Sequence, residues 1–197
     1  MKHSIYAKYK NVMLRPIMPD DIENLRCWRN DPDNAKYLRP IGTITPEMQL
    51  AWYEKDLQNV NNYTFVVEET ESIKQIVGSV ALYDFKDDSA ESGSLMLGNK
   101  DARGVAPTII LLVLHIAYTQ FGCAKVYASI NTKNISAVMT NLKAGYEKIG
   151  KHELAWGGEE YDVVLTKERF YYLNPEMYTV QIHTDWQYEC RQEIIGE

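Results

Sequence analysis

The chain has 197 residues, 45% of them hydrophobic and 24% charged, with a formal net charge of −6. That length and mixture predict a water-soluble globular domain with room for one sizeable core. Acidic and basic residues are interspersed, which argues against a nucleic-acid binder with its basic face while leaving room for a local basic cleft, and no apolar run approaches the roughly 20 residues that span a bilayer.

The chain-order reading starts with Val12-Met13-Leu14-Arg15-Pro16-Ile17, a short strand. Pro19-Asp20-Asp21 then opens a helix with an aspartate as its predicted N-cap, and Ile22, Leu25 and Trp28 give it an apolar stripe. Thr45-Pro46 starts a second helix, threonine capping and proline in the first turn. Residues 63–68, 73–85 and 91–98 predict an antiparallel meander. A long apolar helix follows over 105–121, with Gly122 as its stop, and residues 125–130 return as a strand. Strand, helix and strand in that order predict a parallel crossover. Asn134 or Ser136 starts the next helix, which ends at Ala144-Gly145; residues 146–155 and 161–165 predict a final hairpin. Beyond Asn174-Pro175 the tail is polar and aromatic without a clear period.

The cysteines Cys27, Cys123 and Cys190 lie far apart without a CxxC pair, and the histidines lack metal-ligand spacing. Free thiols, no metal and a cytoplasmic location are therefore expected, the start Met1-Lys2-His3-Ser4 showing no secretory signal.

The junction Asp101-Ala102-Arg103-Gly104-Val105-Ala106-Pro107-Thr108 places a glycine-containing loop directly before the long helix. Free N–H groups at a helix N-terminus, aligned with the helix dipole, make an anion site. A second signature runs from Asn131-Thr132-Lys133-Asn134-Ile135-Ser136-Ala137-Val138 to Asn141-Leu142-Lys143-Ala144-Gly145-Tyr146. Together, over roughly residues 12–170, these resemble the GCN5-related N-acetyltransferase (GNAT) superfamily, which moves acetyl from acetyl-CoA to an amine. Leu14-Arg15-Pro16 and Cys27-Trp28-Arg29-Asn30-Asp31-Pro32 are similar to two branches, one acting on ribosomal-protein N-termini and one on amino-sugar nucleotides.

The resemblance implies an α/β (α+β) fold, a mixed sheet of about seven strands flanked by about four helices. It implies an acetyltransferase domain over 1–173, with 174–197 an extension of unassigned role. It puts the coenzyme A pyrophosphate on Arg103, Gly104, Val105 and Ala106, the pantetheine arm along Leu95, Met96 and Leu97, and its inner end on Asn134. Trp28, Arg29, Trp52 and Tyr83 are the implied acceptor contacts, and Glu91 the base, with Asp84 a weaker alternative. Three residues depart from the pattern. Asp101 puts a negative charge near the phosphates, Pro107 removes an N–H, and Asn141 stands where many relatives carry a tyrosine acid. Tyr118, Tyr127 and Tyr146 are the alternative acids, and His115 reads as a packed histidine.

Acetyl transfer needs a neutral amine. Deprotonating a lysine-like amine at pH 7 costs roughly 4–5 kcal/mol and an α-amine about 1.4 kcal/mol, so low-pKa amines ask less of the base. The expected acceptor is a small-molecule amine, first a nucleotide amino sugar. Peptide N-termini, polyamines, aminoglycosides and a catalytically degenerate coenzyme A binder stay open. The aromatic tail offers a surface for pairing in a homodimer.

Overall fold

The structure, a computed structural model, describes residues 2–102 and 104–187. Two residues singled out above, Arg103 and Cys190, lie outside the described residues. The chain begins with a hairpin of β1 (Tyr6–Tyr9) and β2 (Val12–Pro16). A 3-10 turn at Pro19–Asp21 leads to α1 (Ile22–Asn30), the single turn α2 (Pro32–Ala35) and α3 (Pro46–Gln58). The Thr45 hydroxyl accepts the Met48 N–H, the cap that the Thr-Pro pair predicts.

The meander is β3 (Asn62–Glu69), β4 (Gln75–Lys86) and β5 (Ser89–Leu97). The crossover helix α4 (Ala106–Thr119) returns the chain to β6 (Lys125–Asn131), parallel to β5. Next come α5 (Ile135–Ala144), ended by Gly145, then β7 (Glu147–Glu153) and β8 (Glu159–Thr166). The described chain closes with α6 (Lys167–Leu173), a 3-10 turn at Pro175–Thr179 and β9 (Ile182–His183).

All strands among the described residues join one sheet, in the order β7-β8-β6-β5-β4-β3-β2-β1-β9. It has nine strands where about seven are expected from the resemblance. The additional two, β1 and β9, form one edge and are too short to show a period-two pattern. The main core lies on one face, where α4 buries Ile109, Leu112, Val113, Leu114 and Ile116 against Phe65, Val67, Val80 and Leu82. The other face carries α1 and α3 over a smaller cluster of Ile17, Leu25, Tyr53 and Val66. No helix among the described residues is long and apolar enough to cross a membrane.

Asp21 differs from its predicted role. It makes no N-cap bond to α1; its carboxylate takes the Met18 N–H and both terminal nitrogens of buried Arg15. A guanidinium without water needs those acceptors more than a helix end open to solvent does.

Two histidines tie the chain's ends to the domain. His3 Nε2–H donates to the Thr64 carbonyl while its Nδ1 accepts the Ile5 N–H. His115 Nε2–H donates to the Val180 carbonyl and its Nδ1 accepts the Tyr171 hydroxyl. Both rings are satisfied only when neutral. Burial holds His115 below its ordinary value and brings His3 down to about 4. The unfolded chain therefore takes these protons more readily. Their contribution is present above about pH 6.5 and is lost as pH falls toward 4. Urea midpoints should fall between pH 7 and pH 5, and His115→Gln should reduce the difference.

Candidate active site

The loop from β5 to α4 is ordered by Asn99, whose Oδ1 accepts the Asp101 N–H and whose carbonyl accepts the Ala102 N–H. Gly104 has φ +83, a left-handed conformation suited to glycine, and nothing lies within 4 Å of where its Cβ would stand. The space beside the backbone is open for a ligand. Val105 offers no side-chain cap to α4, so the first-turn N–H groups remain free donors by helix geometry. Pro107 sits in that first turn and costs the helix ladder nothing; the Ile109 N–H bonds Val105 O at 3.0 Å.

Beside this cradle the sheet splits. β5 and β6 pair only from Ser89–Lys125 to Glu91–Tyr127, although β5 runs on to Leu97 and β6 to Asn131. β4 holds β5 on one side and β8 holds β6 on the other, so a wedge opens between them. Main-chain groups of β5 lose their partner strand there. Leu95 and Leu97 pack toward the main core, whereas Met96 lines a cavity on the α1/α3 face. At the far wall Asn134 Oδ1 caps α5 through the Ala137 N–H, leaving its NH₂ as donor. Asn141 donates to the Ala137 carbonyl of its own helix.

The cavity on the α1/α3 face measures about 490 Å³. Trp52, Gln49, Asn62, Thr64 and Ser94 are among its walls, and Arg29 and Arg39 stand at one end. Arg29, Lys36 and Arg39 also line an adjoining cavity of about 330 Å³. Arg29 donates to the Arg39 carbonyl at 2.7 Å, and the Arg39 guanidinium lies 5.6 Å from the Trp156 ring in the β7–β8 turn. None of these three cations forms a salt bridge among the described residues. The nearby Asp33 is already paired with Lys100 at 3.1 Å. In a chain of net charge −6 this is a local positive end.

Farther back on β5, the strand whose Ser94 and Met96 line this cavity, stands a carboxylate that is not among its lining residues. Glu91 closes the paired part of β5, and its Oε1 accepts the Tyr83 hydroxyl at 3.1 Å. Burial chiefly raises the Glu91 pKa, helped by the carboxylates of Asp84, Glu160 and Asp162; the Tyr83 bond opposes them. His152 lies between Glu160 and Asp162, its Nδ1 2.9 Å from Asp162.

The residues expected around the acceptor separate here. Arg29 and Trp52 line the cavity. Trp28 instead lies flat on Gly98, where a Cβ would overlap the indole. Tyr83 reaches across the sheet to Glu91. Of the tyrosines, Tyr118 is buried with its hydroxyl on the Leu165 carbonyl, Tyr127 is exposed, and Tyr146 is buried with its hydroxyl bonded to Ser92. Asp84 occupies a left-handed position at a bulge. Lys36, Arg39, Asn62 and Thr64 carried no sequence pattern. The only hint was a Lys36–Arg39 pair in an acidic chain.

An open wedge beside free helix-terminal N–H groups has the shape and polarity for a long, thin carrier with a phosphate end. The chain belongs to the acetyltransferase (GNAT) domain family, whose model matches residues 11–147. No curated protein matches it by sequence. Among solved structures it resembles spermidine N-acetyltransferase from Vibrio cholerae, determined with CoA and spermine: 19% identity, TM-score 0.71, covering 81% of this chain and 98% of that one. It is equally like FdhC, a nucleotide-linked sugar GNAT in its apo form: 19% identity, TM-score 0.71, covering 90% and 97%. A GNAT-family acetyltransferase from Bacillus anthracis matches at 18% identity and TM-score 0.70, covering 83% and 99%. At these identities the likeness is one of fold.

Proposed function

We propose that this acetyltransferase moves acetyl from acetyl-CoA to a primary amine carried by an anionic small molecule, a nucleotide amino sugar in the first place. One observation carries the choice of acceptor. The cavity has Arg29 and Arg39 among its walls, neither in a salt bridge among the described residues, and Glu91 stands on β5, the strand whose Ser94 and Met96 also line it. An amine suits the carboxylate and a phosphate suits the arginines. A polyamine, cationic throughout, is repelled at the arginine end.

Acetyl-CoA supplies an activated acyl carbon and a thiolate leaving group. The N–H groups of Gly104, Val105 and Ala106, with Arg103, hold its pyrophosphate. Main-chain groups of Leu95, Met96 and Leu97 and the Asn134 NH₂ hold the pantetheine arm. Glu91 takes a proton from the acceptor ammonium. The freed amine attacks the thioester carbonyl carbon; a C–N bond forms and the C–S bond breaks. The amine's second proton leaves to solvent and the thiolate gains one from water, since Asn141 has none to give. Arg29 and Trp52 contact the acceptor. Trp28 supports the end of β5 from behind.

Release of coenzyme A thiol, measured side by side with a nucleotide-linked amino sugar, an N-terminal peptide and spermidine, tests the reading. Release with the nucleotide-linked sugar is expected. Release with spermidine alone overturns it.

A further inference from the structure

Glu91 on β5 and Tyr83 on β4 are register partners, yet a straight pair of strands does not by itself bring a tyrosine hydroxyl onto its neighbour's carboxylate. Two local irregularities do so here. The β4–β5 register shifts between Tyr83 and Lys86, with Asp84 at φ +52. Such a bulge twists the strand and re-aims its side chains. The second irregularity is Gly93. A Cβ at that position would overlap the Tyr83 hydroxyl and stand 3.1–3.2 Å from two of its ring carbons. The phenol therefore lies over bare backbone on its way to Glu91 Oε1, 3.1 Å away.

The other groups around Glu91 all press one way. Asp84 on β4 and Glu160 and Asp162 on β8 are carboxylates that favour its protonated form, as does burial. The Tyr146 hydroxyl, near the start of β7, is bonded to Ser92, and Tyr127 on β6 is the register partner of Glu91. Among the described residues that shift Glu91, the Tyr83 hydroxyl alone favours the ionised carboxylate.

We propose that Tyr83 is the positioning residue for Glu91, fixing Oε1 so that Oε2 faces the acceptor amine, and that glycine at position 93 makes the room this requires. The role rests on Glu91 being the base. The hydroxyl also holds Glu91 ionised among its acidic neighbours, so that it is ready to accept a proton at neutral pH.

Tyr83→Phe keeps the ring and removes only the hydroxyl. In that variant the Glu91 carboxyl, followed by ¹³C NMR titration, should titrate about one pH unit higher, the size of one hydrogen bond to a charged group. The acid limb of kcat/KM should move up by the same amount, with little change in thermal midpoint. Gly93→Ala retains the hydroxyl but displaces it and should reproduce the shift; the double variant should add little to either. An unchanged Glu91 titration in Tyr83→Phe overturns the proposal whatever the rates do. A shifted titration with an unmoved acid limb also overturns it, but for a different reason: the Tyr83–Glu91 coupling then stands and Glu91 is not the base.

Discussion

Arg15→Met will destabilise the fold by about 3–5 kcal/mol, the usual cost of removing one partner from a buried ion cluster. Arg15 is fully buried in β2. Its Nη1 and Nη2 donate to the two Asp21 oxygens at 2.7 and 2.9 Å, and its Nε donates to Glu68 at 2.6 Å. Nη1 also reaches the Pro16 carbonyl, and the guanidinium lies 5.8 Å from the Trp186 ring of the tail. Methionine fills much of the same volume but takes the guanidinium away from two buried carboxylates, Asp21 and Glu68. In a chain of this size the loss corresponds to a thermal midpoint lower by about 6–20 °C. Urea unfolding at pH 7 measures it directly. A loss below about 1 kcal/mol would mean that the cluster contributes only what an apolar replacement does.

Glu91→Gln carries the largest expected effect on activity, a fall in kcat/KM of about 10²–10⁴-fold, the range for removing a general base. Glutamine has the same shape, and its oxygen still accepts the Tyr83 hydroxyl, so geometry is retained while basicity is lost. In its proposed role as base, Glu91, whose pKa is raised first by burial and then by Asp84, Glu160 and Asp162, is expected to place the acid limb of the wild-type profile above that of an ordinary carboxylate. Activity therefore rises with pH as Glu91 ionises, and the limb disappears in the variant. The linkage has a stability consequence of the opposite sign. A folded-state pKa raised above the unfolded one contributes stability at low pH that is lost as pH rises through it. At neutral pH the neutral glutamine is thus expected to raise the thermal midpoint slightly. Lower activity with equal or greater stability separates a catalytic loss from a folding defect.

Much of the scaffold is legible in the chain because it rests on local rules. Thr45-Pro46 and Ala144-Gly145 mark helix ends that the structure keeps, and the apolar run after Pro107 can only be a helix buried on most sides. The strand–helix–strand order gives the parallel pair, whereas the wedge, where β5–β6 pairing stops at Glu91–Tyr127, follows from no local signal. What the chain hides is set by distant partners. Asp21 has the look of a cap but meets Arg15, and nothing near Glu68 announces that it completes the cluster. β9 and the turn at Pro175–Thr179 have no period of their own. They are held by His115, by β1 and by Trp186, whose N–H reaches the Ser4 carbonyl. Trp28 and Tyr83 both read as acceptor contacts. Only the glycines opposite them, Gly98 and Gly93, place one as packing and the other on Glu91. Lys36 and Arg39 lie in an aperiodic stretch and acquire meaning only once a cavity opens between them.

Arg29 and Arg39 in the cavity wall and Glu91 on the same strand as its Ser94 and Met96 are proposed to select the acceptor together. The most direct test compares kcat/KM for a UDP-linked amino sugar with that for the same amino sugar lacking the nucleotide diphosphate. Removing the diphosphate should lower kcat/KM at least about tenfold, the equivalent of one charge-assisted contact, with a smaller difference at high salt. Equal values for the two sugars, or a preference for the free one, would contradict the account.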